Sequence, residues 1–213
     1  MNTQDPPRQP YRKVTNITPI HTIPTRTQGN LPHWHIGGVI QFVTFRLAGS
    51  LPQEKLNAYQ AEKEDFLKQH PQPWAEEIEQ EYYNKICARY DDWLDAGYGN
   101  CLLQNKDIRD IIENCLWHNN NKQYILHTYV IMPNHVHVLF EPVDGNSTTE
   151  ILRAWKGVTA HHINSKMNKA GALWQRESFD RVIRSEEHYK QAWEYIQHNP
   201  IHIPKGEYTL CGE

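Results

Sequence analysis

From Val39 to Leu47, VIQFVTFRL alternates apolar and polar residues and is rich in β-branched and aromatic types, which predicts a half-buried strand. Two charged stretches follow, EKLNAYQAEKEDFLKQH and WAEEIEQEYYNKICARY; both are readable as helices, separated by a break at Pro71 and Pro73. DIRDIIENCLWHN spaces Ile108, Ile111, Ile112, Cys115 and Leu116 at helical intervals, giving a helix with a clear apolar stripe. QYILHTYVIM and HVHVLFEP then read as two strands of a hairpin turning at Pro133 and Asn134. STTE, Ser147 to Glu150, matches a capping box, and Ile151, Leu152, Trp155, Val158 and Ile163 continue it as one helix face. After a short strand, a last helix runs from about Ser185, which can cap it, to Asn199, where Pro200 stops it.

Interleaved strands and helices around an antiparallel hairpin predict an α+β sandwich with helices on one face of the sheet. The chain has 213 residues, enough for one sizeable core and too few for a second large domain. Residues 1–30 lack an apolar period and read as an extended or flexible arm. Residues 31–213 are then a single domain, with the charged 52–98 stretch as a helical insertion.

The formal net charge of -3 gives no global basic field, so any nucleic-acid surface has to be a local patch. Cys87, Cys101, Cys115 and Cys211 form no C-x-x-C pair, which disfavours a zinc knuckle or a disulfide scaffold. Without an apolar run of about 18 residues or a secretory leader, the expectation is a cytoplasmic protein without a membrane partner.

Within the hairpin, His135 and His137 are two residues apart and project from the same face of the strand, while Val136 and Val138 project from the other. Two imidazoles side by side on a pleat form a ready bidentate site for a divalent metal. A polar strand face with two solvated or hydrogen-bonded histidines accounts for H-x-H equally well. The metallo-hydrolase barrels that use the same motif need more strands and helices than this chain offers.

VIMPNHVHVLFEP resembles the HUH segment (His, hydrophobic, His) of the single-tyrosine HUH transposases. LPHWHIGGVIQFVTFRLAGSLP, DDWLDAGYGNCLL, ILRAWKGVTAHHIN, LWQRESFDRVIRSEEHY and YIQHNP are similar, in order, to segments of their REP-associated tyrosine transposase branch. The likeness spans roughly residues 31–200. It implies a ferredoxin-like sandwich of the HUH type. The implied activity is a metal-dependent, single-stranded DNA endonuclease and strand transferase acting on hairpin-forming palindromes, as in DNA transposition and recombination. The implied cofactor is Mg²⁺ or Mn²⁺.

The same resemblance assigns the nucleophile to Tyr195 in WEYIQHNP, with a 5′-phosphotyrosine intermediate. A phenol with a pKa near 10 is only about one part in a thousand phenolate at pH 7, so the site has to favour charge on the phosphoryl oxygens. Helical spacing puts His198 and Asn199 on the Tyr195 face, and the branch's YIxxNP pattern favours Asn199 as third metal ligand, with His198 second. A plain helix cap is the other role open to Asn199. Arg153, Lys156, Arg176, Arg181 and Arg184 are candidate phosphate contacts, and Trp155, Trp174 or Phe179 candidate base-stacking rings.

The chain departs from the branch pattern after YIQHNP, where IHIPKGEYTLCGE replaces an apolar continuation and a basic tail. A domesticated hairpin-DNA-binding protein and an unrelated metal hydrolase are the competing functions. A homodimer and a monomer are equally compatible with the sequence.

Overall fold

VIQFVTFRL supplies the strand that organises the sheet. A computed structural model describes residues 38–212 apart from 72, 73 and 144, together with the backbone of 26–27 and 32–33. The arm expected over residues 1–30 therefore lies outside the described residues, except that β1 (Arg26–Thr27) pairs antiparallel with β2 (Pro32–His33).

The predicted strand is β3 (Gln41–Arg46), and the helical stretches after it are α1 (Gln53–Gln69), α2 (Glu76–Tyr82) and α3 (Ala88–Asp95). A π-helical turn, Tyr83–Cys87, joins the last two. The apolar-stripe helix is α4 (Lys106–His118), capped by Asn105, whose side chain accepts from the Asp107 amide. The hairpin strands are β4 (Tyr124–Ile131) and β5 (His135–Pro142). Then come α5 (Thr148–Met167), β6 (Phe179–Val182) and α6 (Glu186–His198), ended by a 3-10 turn at Asn199–His202. A short strand, β7 (Thr209–Leu210), closes the described chain.

The larger sheet is fully antiparallel in the order β6-β3-β5-β4-β7. Within it β3, α4, β4, β5, α5 and β6 follow the ferredoxin-like succession, so the α+β sandwich read from the sequence is the observed fold. The two-helix layer is α4 and α5. Ile108, Ile112, Leu116, Ile151, Leu152, Trp155 and Ile163 pack there against Val43, Phe45, Val136, Val138 and Phe140. Each such fully buried side chain contributes about 1.5–3 kcal/mol relative to exposure.

The sequence predicts helices on one face only, but the opposite face is covered by α6. Phe42, Val130 and Leu139 meet Tyr189 and Ile196 there, flanked by Tyr195, Trp193, Tyr208 and Leu210. This second cover is why every residue of β3 is buried, where alternation alone predicts half-burial. Two other expectations shift in detail. Ser147 is the N-cap of α5 but makes no side-chain cap hydrogen bond, and Val158, assigned to the apolar face, is exposed.

The segment after Pro200 is an edge strand with a clamp. β7 pairs with β4, and the buried Arg109 guanidinium holds it by donating to Thr209 Oγ1 (2.9 Å), Leu103 O (2.8 Å), Gln104 O (2.6 Å) and Gly206 O (2.5 Å).

Candidate metal and nucleophile site

β5 enters the sheet immediately after the Pro133–Asn134 turn, so His135 and His137 stand near one end of its α6-facing side, both fully buried. Their Nε2 atoms are 2.9 Å apart. Across the sheet His137 pairs with Thr44 and His135 with Arg46, which places a buried guanidinium beside the histidines on the same face. Arg46 itself is held by Ser50 Oγ (2.9 Å) and Tyr90 Oη.

Asn134 orients the first imidazole. Its Nδ2 donates to Leu94 O (3.1 Å) and Tyr98 O (3.2 Å), two groups that can only accept. Its Oδ1 must therefore face His135 Nδ1, 2.7 Å away, and that ring nitrogen carries the proton. His135 Nε2 is left as a lone pair directed at its neighbours. His137 Nδ1 lies 2.7 Å from Thr44 Oγ1, and burial, reinforced by His135, holds the His137 imidazole well below its ordinary pKa.

The third group is Asp95, which sequence reasoning missed. Its Oδ1 lies 3.3 Å from His135 Nε2, buried and without a hydrogen-bond partner. Helix α3 ends at this residue because the chain turns at Gly97 (φ 70°), whose amide caps Leu94 O at 3.0 Å. Gly99 (φ 75°) then passes so close to the preceding turn that a Cβ would sit 2.1 Å from Gly49 O. DAGYG thus lays the last turn of α3 against the hairpin tip. The carbonyl-rich end of a helix favours a cation there.

A carboxylate oxygen facing an imidazole lone pair is repulsive unless a proton or a metal lies between them. Asp95, His135 and His137 form the group of potential metal ligands among the described residues. Two donors at about 2.1 Å from one ion and at right angles are about 3.0 Å apart, so the observed 2.9 and 3.3 Å match edges of a coordination polyhedron. The residues present fit a divalent metal on two imidazoles and a carboxylate.

Tyr195 projects from α6 onto this cluster. Its ring stands edge-on to His137, centroids 5.2 Å apart, and edge-on to Phe42 at 5.9 Å. One turn later, Asn199 occupies the C-cap position of α6 and donates from Nδ2 to Asp95 Oδ2 at 3.0 Å. His198, the second candidate ligand, is exposed, with Nδ1 2.7 Å from Glu194 O.

The basic candidates do not form one patch. Arg153 and Arg176 are exposed, and Arg184 is half-buried. Lys156 donates to Arg176 O (2.8 Å) and Ser178 Oγ (3.0 Å); burial, with Arg46 adding, lowers its ammonium to a pKa of about 8. Arg181 donates to Gln80 Oε1 (2.7 Å) and lies over the Tyr83 ring. Trp155 and Trp174 are core residues, bonded to Tyr124 Oη and Thr159 Oγ1, so neither offers a face to a base. Phe179 is half-buried.

A family model described as "Transposase IS200 like" matches residues 98–199. A Haemophilus influenzae Rd protein described only as uncharacterized is 31% identical over 146 residues, covering 56% of this chain and 79% of that protein. The chain belongs to the IS200-like transposase family. The family match takes in His135, His137 and Tyr195 and begins three residues after Asp95. A REP-associated tyrosine transposase solved with a REP hairpin is 14% identical, with a TM-score of 0.45 over 82% of this chain and 74% of that one. A structure from Deinococcus radiodurans R1 assigned as a transposase is also 14% identical, with a TM-score of 0.35 over 82% of this chain and 96% of that one. At these values the fold rests on the strand order given above. No helix among the described residues is long and apolar enough to cross a membrane.

Proposed function

We propose that this family member cuts and rejoins single-stranded DNA at hairpin-forming palindromes, with Tyr195 as nucleophile. The observation that carries the reading is the edge-on contact of the Tyr195 ring with a buried histidine pair that already faces a carboxylate.

In the forward step the Tyr195 Oη–P bond forms and the P–O3′ bond of the DNA breaks. The phenolic proton is lost and the departing 3′ oxygen takes one up, leaving a 5′-phosphotyrosine. Attack by a 3′ hydroxyl on that ester reverses the step, so rejoining needs no nucleotide cofactor. The divalent metal, Mg²⁺ or Mn²⁺, supplies Lewis-acid stabilisation of the phosphoryl oxygens and orients the scissile phosphate. His135 and His137 hold it, with a third donor at the end of α3 or α6, Asp95 or Asn199. Thr44 and Asn134 fix the two imidazoles, and the buried Arg46 adds positive charge beside His135. Arg153 and Arg176, both exposed, are the phosphate contacts best placed to reach DNA, with the half-buried Arg184 as a third candidate from the sequence, while Lys156 and Arg181 first tie the protein together.

The test supplies hairpin DNA carrying a labelled scissile phosphate, with Mn²⁺. The expected result is a covalent protein–DNA adduct on Tyr195 that disappears in Tyr195→Phe. Hairpin binding without an adduct would favour a domesticated binding protein, and phosphodiester hydrolysis that survives Tyr195→Phe would favour a metal hydrolase.

A further inference from the structure

We infer that the third protein ligand of the metal is Asp95, supplied by the helical insertion, and that Asn199 serves as its positioning residue. The inference deepens the proposed function and rests on it for the presence of a metal. It reverses the ligand role that the resemblance implies for Asn199.

The two carboxylate oxygens of Asp95 have separate partners. Oδ1 faces His135 Nε2 at 3.3 Å and accepts no hydrogen bond, although it is buried. Oδ2 accepts from Asn199 Nδ2 at 3.0 Å. An anionic oxygen is a far better ligand for Mg²⁺ or Mn²⁺ than a neutral amide, and in the neutral tautomer that Asn134 selects, His135 Nε2 presents its lone pair on the side of that oxygen. Asn199 Nδ2 donates to that carboxylate, in the manner of groups that orient a metal ligand from behind, while its own Oδ1, buried and without a hydrogen-bond partner, offers only a neutral oxygen.

Asn199 lies one helical turn after Tyr195, so the same hydrogen bond ties the nucleophile's helix to the ligand. With Oδ1 engaged by a metal, the Asp95 side chain would be held in place, and its Oδ2 would tether the end of α6 through Asn199. Loading the metal and seating Tyr195 become one event, joined through a residue of α3 that stands before the family-matched region.

The experiment is Mn²⁺ titration calorimetry on the full chain without DNA, with hydrogen exchange of the α6 amides as the second readout. Asp95→Asn is expected to weaken Mn²⁺ binding by about tenfold or more. Asp92→Asn, an exposed aspartate of the same helix, should leave it unchanged. The exchanged pair Asp95→Asn with Asn199→Asp restores a hydrogen bond but moves the carboxylate to α6, and it should not recover affinity. Asp95→Ser carries the same expectation and guards against a loss of fold in the first variant. In the unaltered protein, Mn²⁺ should slow exchange around Tyr195 to Asn199, and Asn199→Ala should abolish that slowing.

Binding within twofold of the unaltered protein in Asp95→Asn, or full recovery in the exchanged pair, would overturn the assignment. Exchange rates around Tyr195 that ignore Mn²⁺ would overturn the coupling. An unaltered protein that forms the Tyr195 adduct while either result holds loses only this inference. One that binds Mn²⁺ through Asp95 but forms no adduct loses only the proposed reaction.

Discussion

Nδ1 of His135 lies 2.7 Å from Oδ1 of Asn134, and that single contact decides which nitrogen of the histidine is available to a metal. Asn134 is buried, and its amide also holds two carbonyls of the segment that carries Asp95. Asn134→Ala therefore removes a donor from the Tyr98 carbonyl, leaves Leu94 O with its backbone donor alone, and frees the imidazole to rotate. The expected loss is about 2–3 kcal/mol in urea unfolding, with Mn²⁺ binding weakened about 10–100-fold. Asn134→Asp should lose stability as well, because a carboxylate facing two carbonyls repels them.

The pH dependence of stability should carry the signature of His127. A β-bulge between Leu126 and Thr128 shifts the register of β4 at this residue, which is buried with Nδ1 3.2 Å from Tyr189 Oη. Burial lowers its pKa, and the Glu141 carboxylate 3.7 Å away opposes the shift only in part. The unfolded chain then takes up a proton that the folded chain refuses. Stability is complete above about pH 6.5 and falls as pH drops, by up to about 1.4 kcal/mol per pH unit for this group. Urea unfolding from about pH 8 to 5 should show a shallower slope in His127→Gln. An identical slope would assign the dependence to other groups.

Arg109 is the lock on the C-terminal edge strand, since its guanidinium serves three carbonyls and one hydroxyl. Arg109→Met keeps most of the apolar stem but leaves those carbonyls without a donor. Destabilisation of about 3 kcal/mol is expected, with tryptic cleavage after Lys205 faster than in the unaltered chain. Unchanged cleavage would mean that pairing of β7 with β4 suffices.

Two basic residues one turn apart on α5 should separate cleanly. Arg153 is exposed, so Arg153→Ala should leave stability within about 0.5 kcal/mol and reduce the salt slope of hairpin-DNA binding by about one. Lys156 donates to Arg176 O and Ser178 Oγ, so Lys156→Ala should cost about 1–2 kcal/mol in unfolding. Equal effects of the two on stability would contradict the burial pattern.

The periodic signals were legible because they depend on near neighbours. Alternation in Val39–Leu47 and in the hairpin, the 3.6-residue stripe of α4, the cap at Ser185 and the stop at Pro200 all act within one or two turns of chain. The same locality put His135 and His137 on one strand face, and the quoted segments tied them to a tyrosine on the last helix. Trp155 and Trp174 could not be ranked as core or DNA-facing in that way, because an aromatic ring carries no mark in the sequence of what packs over it.

By itself the sequence determined the order of elements, the α+β class and the pairing of the two imidazoles, because period and spacing constrain the backbone directly. Only the tertiary structure decided that α6 covers the histidine face, that β7 closes the sheet edge, and that Asp95 among the three aspartates of DDWLDAG faces His135. Those outcomes join residues tens of positions apart. They follow from which buried surfaces fit together and from hydrogen bonds that have no partner until the chain has closed.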